Sequence, residues 1–300
     1  MTFENYFSIN YLNHQTNPMK FTNPTAQLYI PDNTPEAQAL ARTTHLAIGA
    51  HQDDIEIMAI DGILEAFGQP DKWFTGVTVT NGAGSPRAGV YAHFSDAQMR
   101  EVRAREQKKA ATMGEYAAQF LLDYPSSAVK DAAEQGPVQD LVAILKATQP
   151  QIVYTHNPAD RHDTHIGVAL KTLAAIRQLP MNQRPEHLYG CEVWRDLDWM
   201  TEDDKIAFDV SRYENLQLAL VSLFDSQISG GKRYDLATMG RRRANATYYA
   251  SHATDDATHM DFAMDLTPLI RDDSLSVQDY VARLLQSFTE DVLGRIRMMV

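Results

Sequence analysis

From Thr44 onward the chain switches repeatedly between short apolar runs and stretches whose apolar residues recur every three or four positions. His45-Leu46-Ala47-Ile48-Gly49-Ala50 predicts a buried strand, and Ile57, Ile60 and Leu64 predict a helix over 53–67. Residues 73–80 alternate and are β-branched, a second strand, followed by the loop Asn81-Gly82-Ala83-Gly84-Ser85-Pro86. Ser95-Asp96 opens a long helix that reaches Met113 and stops at Gly114. Phe120-Leu121-Leu122 is a short strand before a Tyr124-Pro125 break. A helix over 138–147, a strand over 151–154 and a helix over 164–176 follow. Strands alternating with helices at this spacing predict βαβ units, an α/β fold with a mostly parallel sheet flanked by helices.

The two ends of the chain read differently. Residues 1–43 are rich in Asn, Thr and Pro without sustained periodicity, and predict an irregular arm. After Pro180 the pattern weakens: a strand over 187–194, an acidic aromatic loop at 195–199, then helices near 214–224, 235–251 and 277–298. The expectation is a core over 44–200 and a helical C-terminal extension of the same domain over 201–300.

At 300 residues, with 44% hydrophobic and 22% charged positions, the chain suits a soluble globular protein. No run approaches the roughly 20 apolar residues of a membrane span, and no signal peptide opens the sequence. A net charge of −12 argues against a nucleic-acid partner. The basic stretch Lys232-Arg233 and Arg241-Arg242-Arg243 reads as a solvated or structural helix face. Cys191 is the sole cysteine, which excludes an intrachain disulfide and a thiolate zinc cage, and favours a cytoplasmic setting. The oligomeric state stays open, a homo-oligomer included.

Candidate chemistry gathers at two strand ends. Ala50-His51-Gln52-Asp53-Asp54-Ile55-Glu56 follows the first strand, and His156-Asn157-Pro158-Ala159-Asp160-Arg161-His162-Asp163-Thr164-His165 follows the strand at 151–154. In an open parallel sheet, ligands bind beyond the carboxyl ends of the strands, so the two loops can converge on one cation. His51, Asp54 and His165 would supply two imidazoles and a carboxylate, a set used by catalytic zinc with its fourth position left to water. Each residue alone also has a structural reading. Asp53 and Glu56 form a capping-box pattern, and His162 and His165 sit at a helix start. His156 reads as a packing or loop-binding residue, and Trp194 and Trp199 as packing residues.

The two motifs together, Ala-His-x-Asp-Asp-x-Glu and His-Asn-Pro-x-Asp-x-His-x-x-His, resemble the zinc-dependent de-N-acetylases of the PIG-L/LmbE family over roughly 44–176. The resemblance implies a Rossmann-like fold and hydrolysis of an N-acetyl group from a GlcNAc-containing or related small molecule, a sugar or glycoside, with Zn2+ or another divalent ion such as Fe2+ as cofactor. It also implies site roles: His51, Asp54 and His165 as metal ligands, Asp53 as general base, and His162 as acid and oxyanion stabiliser. Arg103 would contact the substrate, with Asn81 a further candidate. Two departures stand out. Gln52 replaces the usual proline, which loosens the turn. The usual His-Pro-Asp-His has become His162-Asp163-Thr164-His165, which leaves Asp163 or Asp160 to orient His162, with Asp163 preferred. The competing readings are a metal-dependent phosphoesterase and a non-catalytic sugar-binding protein with a structural metal.

Overall fold

The computed structural model describes residues 19–300; the first 18 residues of the expected arm lie outside the described residues. The strands are β1 Gln27–Tyr29, β2 His45–Gly49, β3 Phe74–Thr80, β4 Ala118–Tyr124, β5 Ile152–His156, β6 His187–Cys191, β7 Lys205–Asp209 and β8 Met260–Asp265. They form one sheet in the order β1-β4-β3-β2-β5-β6-β8-β7. Strands β4, β3, β2, β5 and β6 pair in parallel, while β1 at one edge and β8 with β7 at the other are antiparallel. The helices are α1 Glu36–Ala41, α2 Asp54–Met58, α3 Ile60–Ala66, α4 Asp96–Met113, α5 Ser126–Lys130, α6 Gly136–Thr148, α7 Asp163–Arg177, α8 Glu214–Ser222, α9 Asp225–Ile228, α10 Tyr234–Tyr248, α11 Thr267–Arg271 and α12 Val277–Arg297.

The continuous apolar runs of β2 and β3 follow from burial on both faces: every residue of these two strands is buried. On one face Leu46, Ile48, Val77 and Val79 pack with Leu141 and Ile144 of α6, Val168 and Ile176 of α7 and Leu284 of α12. On the other, Ala47 and Phe74 pack with Ile55, Ile60 and Ile63 of α2 and α3, Ala110 and Ala111 of α4 and Leu220 of α8. The α/β fold with its mostly parallel sheet is as the sequence predicts. No helix among the described residues is long and apolar enough to cross a membrane.

Three expectations need correction. The N-terminal segment, in its described part, is not irregular throughout, because β1 extends the sheet beyond β4 and α1 precedes β2. The C-terminal hundred residues are not purely helical: β7 and β8 carry the sheet past β6. Both are short, and β8 pairs non-locally with β6 on one side and β7 on the other, so periodicity alone does not display them. The helix expected over 53–67 is broken at Ala59 (φ −116°, ψ 28°) into α2 and α3. That break frees carbonyls that a continuous helix would bond internally. Arg242, fully buried on α10, donates from Nη2 to the carbonyls of Glu56 and Ile57 at 3.0 Å each, from Nη1 to Gln217 Oε1 at 3.0 Å, and pairs through Nε with Asp261 of β8 at 3.3 Å. One side chain of the basic stretch therefore locks the C-terminal half to the helix that carries Asp54.

Two predictions concern this frame. Arg242→Met strands the Asp261 carboxylate in the interior and is expected to cost about 3–5 kcal/mol, with R242M/D261N recovering part of it; urea unfolding measures both. Glu192, just after β6, is buried, and its carboxylate accepts from the Leu197 amide (2.9 Å) and Asn245 Nδ2 (3.2 Å). Burial, with Asp261 nearby, pushes its pKa up to about 7 from an ordinary 4.5. A carboxyl raised on folding binds its proton more tightly when folded. It therefore lowers stability as pH climbs from about 4.5 to about 7, and the loss levels off above that. Thermal unfolding of metal-free protein across this range is expected to show a shallower decline in E192Q than in the wild type.

Candidate metal centre and active-site cavity

The carboxyl ends of the five parallel strands open into one cavity of about 500 Å³. Each following segment contributes to its wall: His51 and Asp54 after β2, Gly82 to Pro86 after β3, Ser126 and Lys130 after β4, His162 and Thr164 after β5, and Trp194 after β6. Gln227, Lys232 and Tyr234 of the C-terminal half complete it. The placement is that expected for ligand sites of open parallel sheets.

The chain makes its sharpest turn immediately after β2. Asp53 adopts φ 98°, a left-handed backbone uncommon for a residue with a Cβ, and its side chain does not cap α2, so the capping-box reading fails. The twist sends the adjacent carboxylates of Asp53 and Asp54 in different directions. Asp54 Oδ2 lies 3.2 Å from His51 Nδ1 and 3.4 Å from His165 Nε2, and those two nitrogens are 3.2 Å apart. A tetrahedral ion with bonds of about 2.0–2.1 Å spans its ligands at about 3.3–3.4 Å. The triangle matches that span, and two imidazoles with one carboxylate suit Zn2+ or a related divalent ion.

The electrostatics suit a cation as well. Burial lowers the pKa of His165 to about 4, which keeps its ring neutral with a lone pair to give. Burial works to raise the Asp54 pKa, but the neighbouring His165 and His156 rings hold it well below the ordinary range. Behind the triangle, Asp160 Oδ2 takes His165 Nδ1 at 3.4 Å, which points the lone pair of Nε2 at the triangle. Asp160 also accepts from the backbone amides of His162 (3.0 Å) and Trp194 (3.2 Å). His156 is fully buried, stacks on His165 with ring centres 3.9 Å apart, and accepts the Ala50 amide on Nε2 at 2.9 Å. Its Nδ1 is buried without a hydrogen-bond partner among the described residues.

Asp53 pairs instead with Arg103 of α4, Oδ2 to Nη1 at 3.5 Å, and is buried beside the cavity. Burial, opposed by Arg103 and reinforced by Asp54, raises its pKa to about 7. Arg103 does line the cavity, yet it is 1% exposed, and its remaining donors go to the carbonyl and the side chain of Gln52. Gln52 does not loosen the turn. Its Nε2 donates to the Thr80 carbonyl at 3.2 Å while Oε1 accepts from Arg103, so the residue cross-links the ends of β2 and β3 to α4. Gly82 fits under this bridge because it has no Cβ: one would meet Gln52 Oε1 at 2.4 Å, and the backbone there has φ 68°.

Two expected roles do not match the geometry. Asp163 is exposed, and the His162 ring is held by a different group: Nδ1 accepts the backbone amide of Thr164 at 3.2 Å, as the cap of α7. Asn81 turns its Oδ1 back to the Ala83 amide (3.1 Å), and the glycines after it face the cavity in its place. Asp160, Gln52 and Trp194 carry more of the site than their sequence context suggests. Only the position of Asp160 within a His-rich loop hinted at it.

The triangle yields a prediction. The wild type is expected to take up Zn2+ stoichiometrically in equilibrium dialysis, and Asp54→Ala and His165→Ala to lose that uptake. Free Zn2+ at about 100 times its Kd should stabilise the wild type by about 2.7 kcal/mol against unfolding and D54A hardly at all. Stoichiometric metal in D54A would place the ion elsewhere.

Residues 46–176 match the family model described as "PIG-L: GlcNAc-PI de-N-acetylase". A search of curated proteins finds no match in sequence. Among solved structures the fold is similar to N,N'-diacetylchitobiose deacetylase from Pyrococcus horikoshii, with a TM-score of 0.58 and 16% identity over 79% of this chain and 88% of that one. It is also similar to the A40926 pseudoaglycone deacetylase (TM-score 0.55, 16% identity, 75% and 97% covered). A third similar structure is 4-carboxy-2-hydroxymuconate hydratase from Pseudomonas putida KT2440 (TM-score 0.53, 14% identity, 75% and 95% covered). At these identities the likeness concerns the fold, and one of the three catalyses a hydration. The family match spans both His- and Asp-bearing loops and the helices that brace them, and over residues 46–176 the chain is similar to the PIG-L family.

Proposed function

We propose that the protein is a divalent-cation-dependent hydrolase that removes the N-acetyl group from a small amino-sugar substrate, with Zn2+ or a similar ion held by His51, Asp54 and His165. The observation that carries this reading is the donor triangle at a cavity wall, with the His162 ring 5.0 Å from that of His51 and a separate carboxylate, Asp53, next in the chain to a ligand. The family description and the two deacetylases of similar fold support the reaction class and an N-acetylglucosamine-type substrate. The single, buried Cys191 fits a reducing, cytoplasmic setting.

A bound cation supplies Lewis-acid polarisation and a water acidified to a pKa of about 7. The protein's own groups do the rest. Asp53 is outside the triangle, so its carboxylate accepts the proton of the attacking water, while Arg103 keeps it in place. His162 takes the Thr164 amide on Nδ1, so its proton sits on Nε2 and is donated to the carbonyl oxygen as negative charge develops there. Burial lowers the His162 pKa, in keeping with a neutral ring that donates one hydrogen bond. Asp53 then returns its proton to the departing nitrogen, which leaves poorly as an anion. The products are acetate and a free amine.

The phosphoesterase alternative would call for a second ion or a phosphate clamp at the reacting centre. A second grouping, His156, Asp160 and His165, exists among the described residues, but all three are buried and it shares His165 with the first. One open donor set fits amide hydrolysis better.

The test is acetate release from a panel of N-acetylated sugars by metal-loaded and chelator-stripped protein. Metal-dependent release is expected, and Asp53→Asn should keep its metal while turnover falls on the order of a hundredfold or more. Full activity in D53N would remove Asp53 from the scheme, and silence across the panel with metal bound would remove the activity.

A further inference from the structure

The cavity wall away from the donor triangle differs in charge from the chain as a whole. The chain carries −12, yet this wall presents Lys130 at the end of α5 and Lys232 just before α10, and neither ammonium forms an ion pair among the described residues. Lys232 Nζ lies 5.0 Å from the centre of the Trp194 ring. That ring is 6.2 Å from His162 on one side and 6.2 Å from Tyr234 on the other. Trp194 thus spans the distance from the reacting centre to Lys232, and its backbone is fixed by Asp160, the same carboxylate that orients His165.

Gln227 faces the same space. The residue is 4% exposed, and its Nε2 is buried without a hydrogen-bond partner among the described residues. A buried amide donor left unpaired is costly, so a site that keeps one is suited to a ligand oxygen. Its neighbour Ser226 leaves it little freedom to move: Ser226 donates its amide (2.8 Å) and its hydroxyl (2.5 Å) to Glu106 of α4, one turn beyond Arg103. Exposed lysines alone mark a solvated surface, but here a fixed, buried amide and two unpaired ammonium groups converge on one cavity beside an aromatic face.

We propose that Gln227, Lys130 and Lys232, with Trp194 as platform, form a specificity subsite for an anionic substituent, phosphate or carboxylate, carried by the amino sugar on the side away from its acetamide. The proposal rests on the deacetylase reading for the sugar, not for the charge. The sugar ring lies against Trp194, the Gln227 amide donates to a substrate oxygen, and the two lysines flank the anion as point charges. All three donors lie outside the two motifs, and Gln227 and Lys232 lie outside residues 46–176 altogether.

Three glycosides that share N-acetylglucosamine test it: the methyl glycoside, the carboxymethyl glycoside and the 1-phosphate. Binding is read from tryptophan emission of the zinc-loaded protein, with W194F as the control for the reporting ring, and acetate release is followed in parallel. The anionic glycosides are expected to bind about tenfold or more tightly than the methyl glycoside at low salt, with the preference shrinking as salt rises. In K130A/K232A the preference should fall toward one, and Q227L should weaken the anionic glycosides about tenfold. A preference for both anions assigns the subsite to negative charge in general; a preference confined to the 1-phosphate assigns it to a phosphate dianion. Equal binding of all three by the wild type, or an undiminished preference in K130A/K232A, overturns the subsite. Charge-dependent binding without acetate release would overturn the deacetylase reading and leave the subsite standing, whereas acetate release without charge preference would do the reverse.

Discussion

The turn at Gln52-Asp53-Asp54 is the constraint on which the rest of the site depends. Two adjacent carboxylates at a strand end would ordinarily repel each other, and a left-handed aspartate costs about 1–3 kcal/mol in backbone strain. The structure holds the turn from three directions: Gln52 bonds across to the end of β3, Arg103 grips the Gln52 carbonyl and the Asp53 carboxylate, and Gln107 accepts the Asp53 amide. The strain separates the two carboxylates. Asp54 enters the donor triangle and Asp53 faces the guanidinium, so neighbouring residues of one type acquire pKa values shifted in opposite directions.

The turn also explains why the second half of the chain is more than an appendage. Helix α2 begins at Asp54 and lasts only five residues, too short to hold its own direction. Arg242 caps its freed carbonyls from α10, and Glu106 ties α4 to α9 through Ser226. The helices that position Asp54 and Arg103 are therefore buttressed by residues far later in sequence. The same contacts bring Gln227 and Tyr234 to the cavity.

The parallel core was legible because its strands are buried on both faces and its helices are amphipathic, two patterns that are local in sequence. The donor residues were legible because each loop concentrates His and Asp at a strand end. What stayed hidden was set by long-range pairing. Strands β7 and β8 are given away by partners dozens of residues distant, not by their own composition. Arg242 looked like part of a solvated basic stretch because charge along a helix does not say which residue meets a buried carboxylate. Trp194 and Gln52 were undervalued for the same reason: their roles come from atoms that only folding brings near.

The substitution within the second motif shows how a site keeps its chemistry when a carboxylate moves. His162 caps α7 and His165 lies in its first turn, with ring centres 4.6 Å apart and an interplanar angle of 18°. Stacked so closely, two imidazoles would be interchangeable if nothing else told them apart. Their second nitrogens do so. Asp160 accepts from Nδ1 of His165, which places a lone pair on Nε2, while the Thr164 amide donates to Nδ1 of His162, which places a proton on Nε2. One ring is thereby made an electron-pair donor suited to a cation and the other a hydrogen-bond donor suited to a developing anion. A backbone amide at the helix start serves the second purpose whatever side chain occupies position 164. The aspartate at 163 can then turn outward to solvent without disturbing either ring.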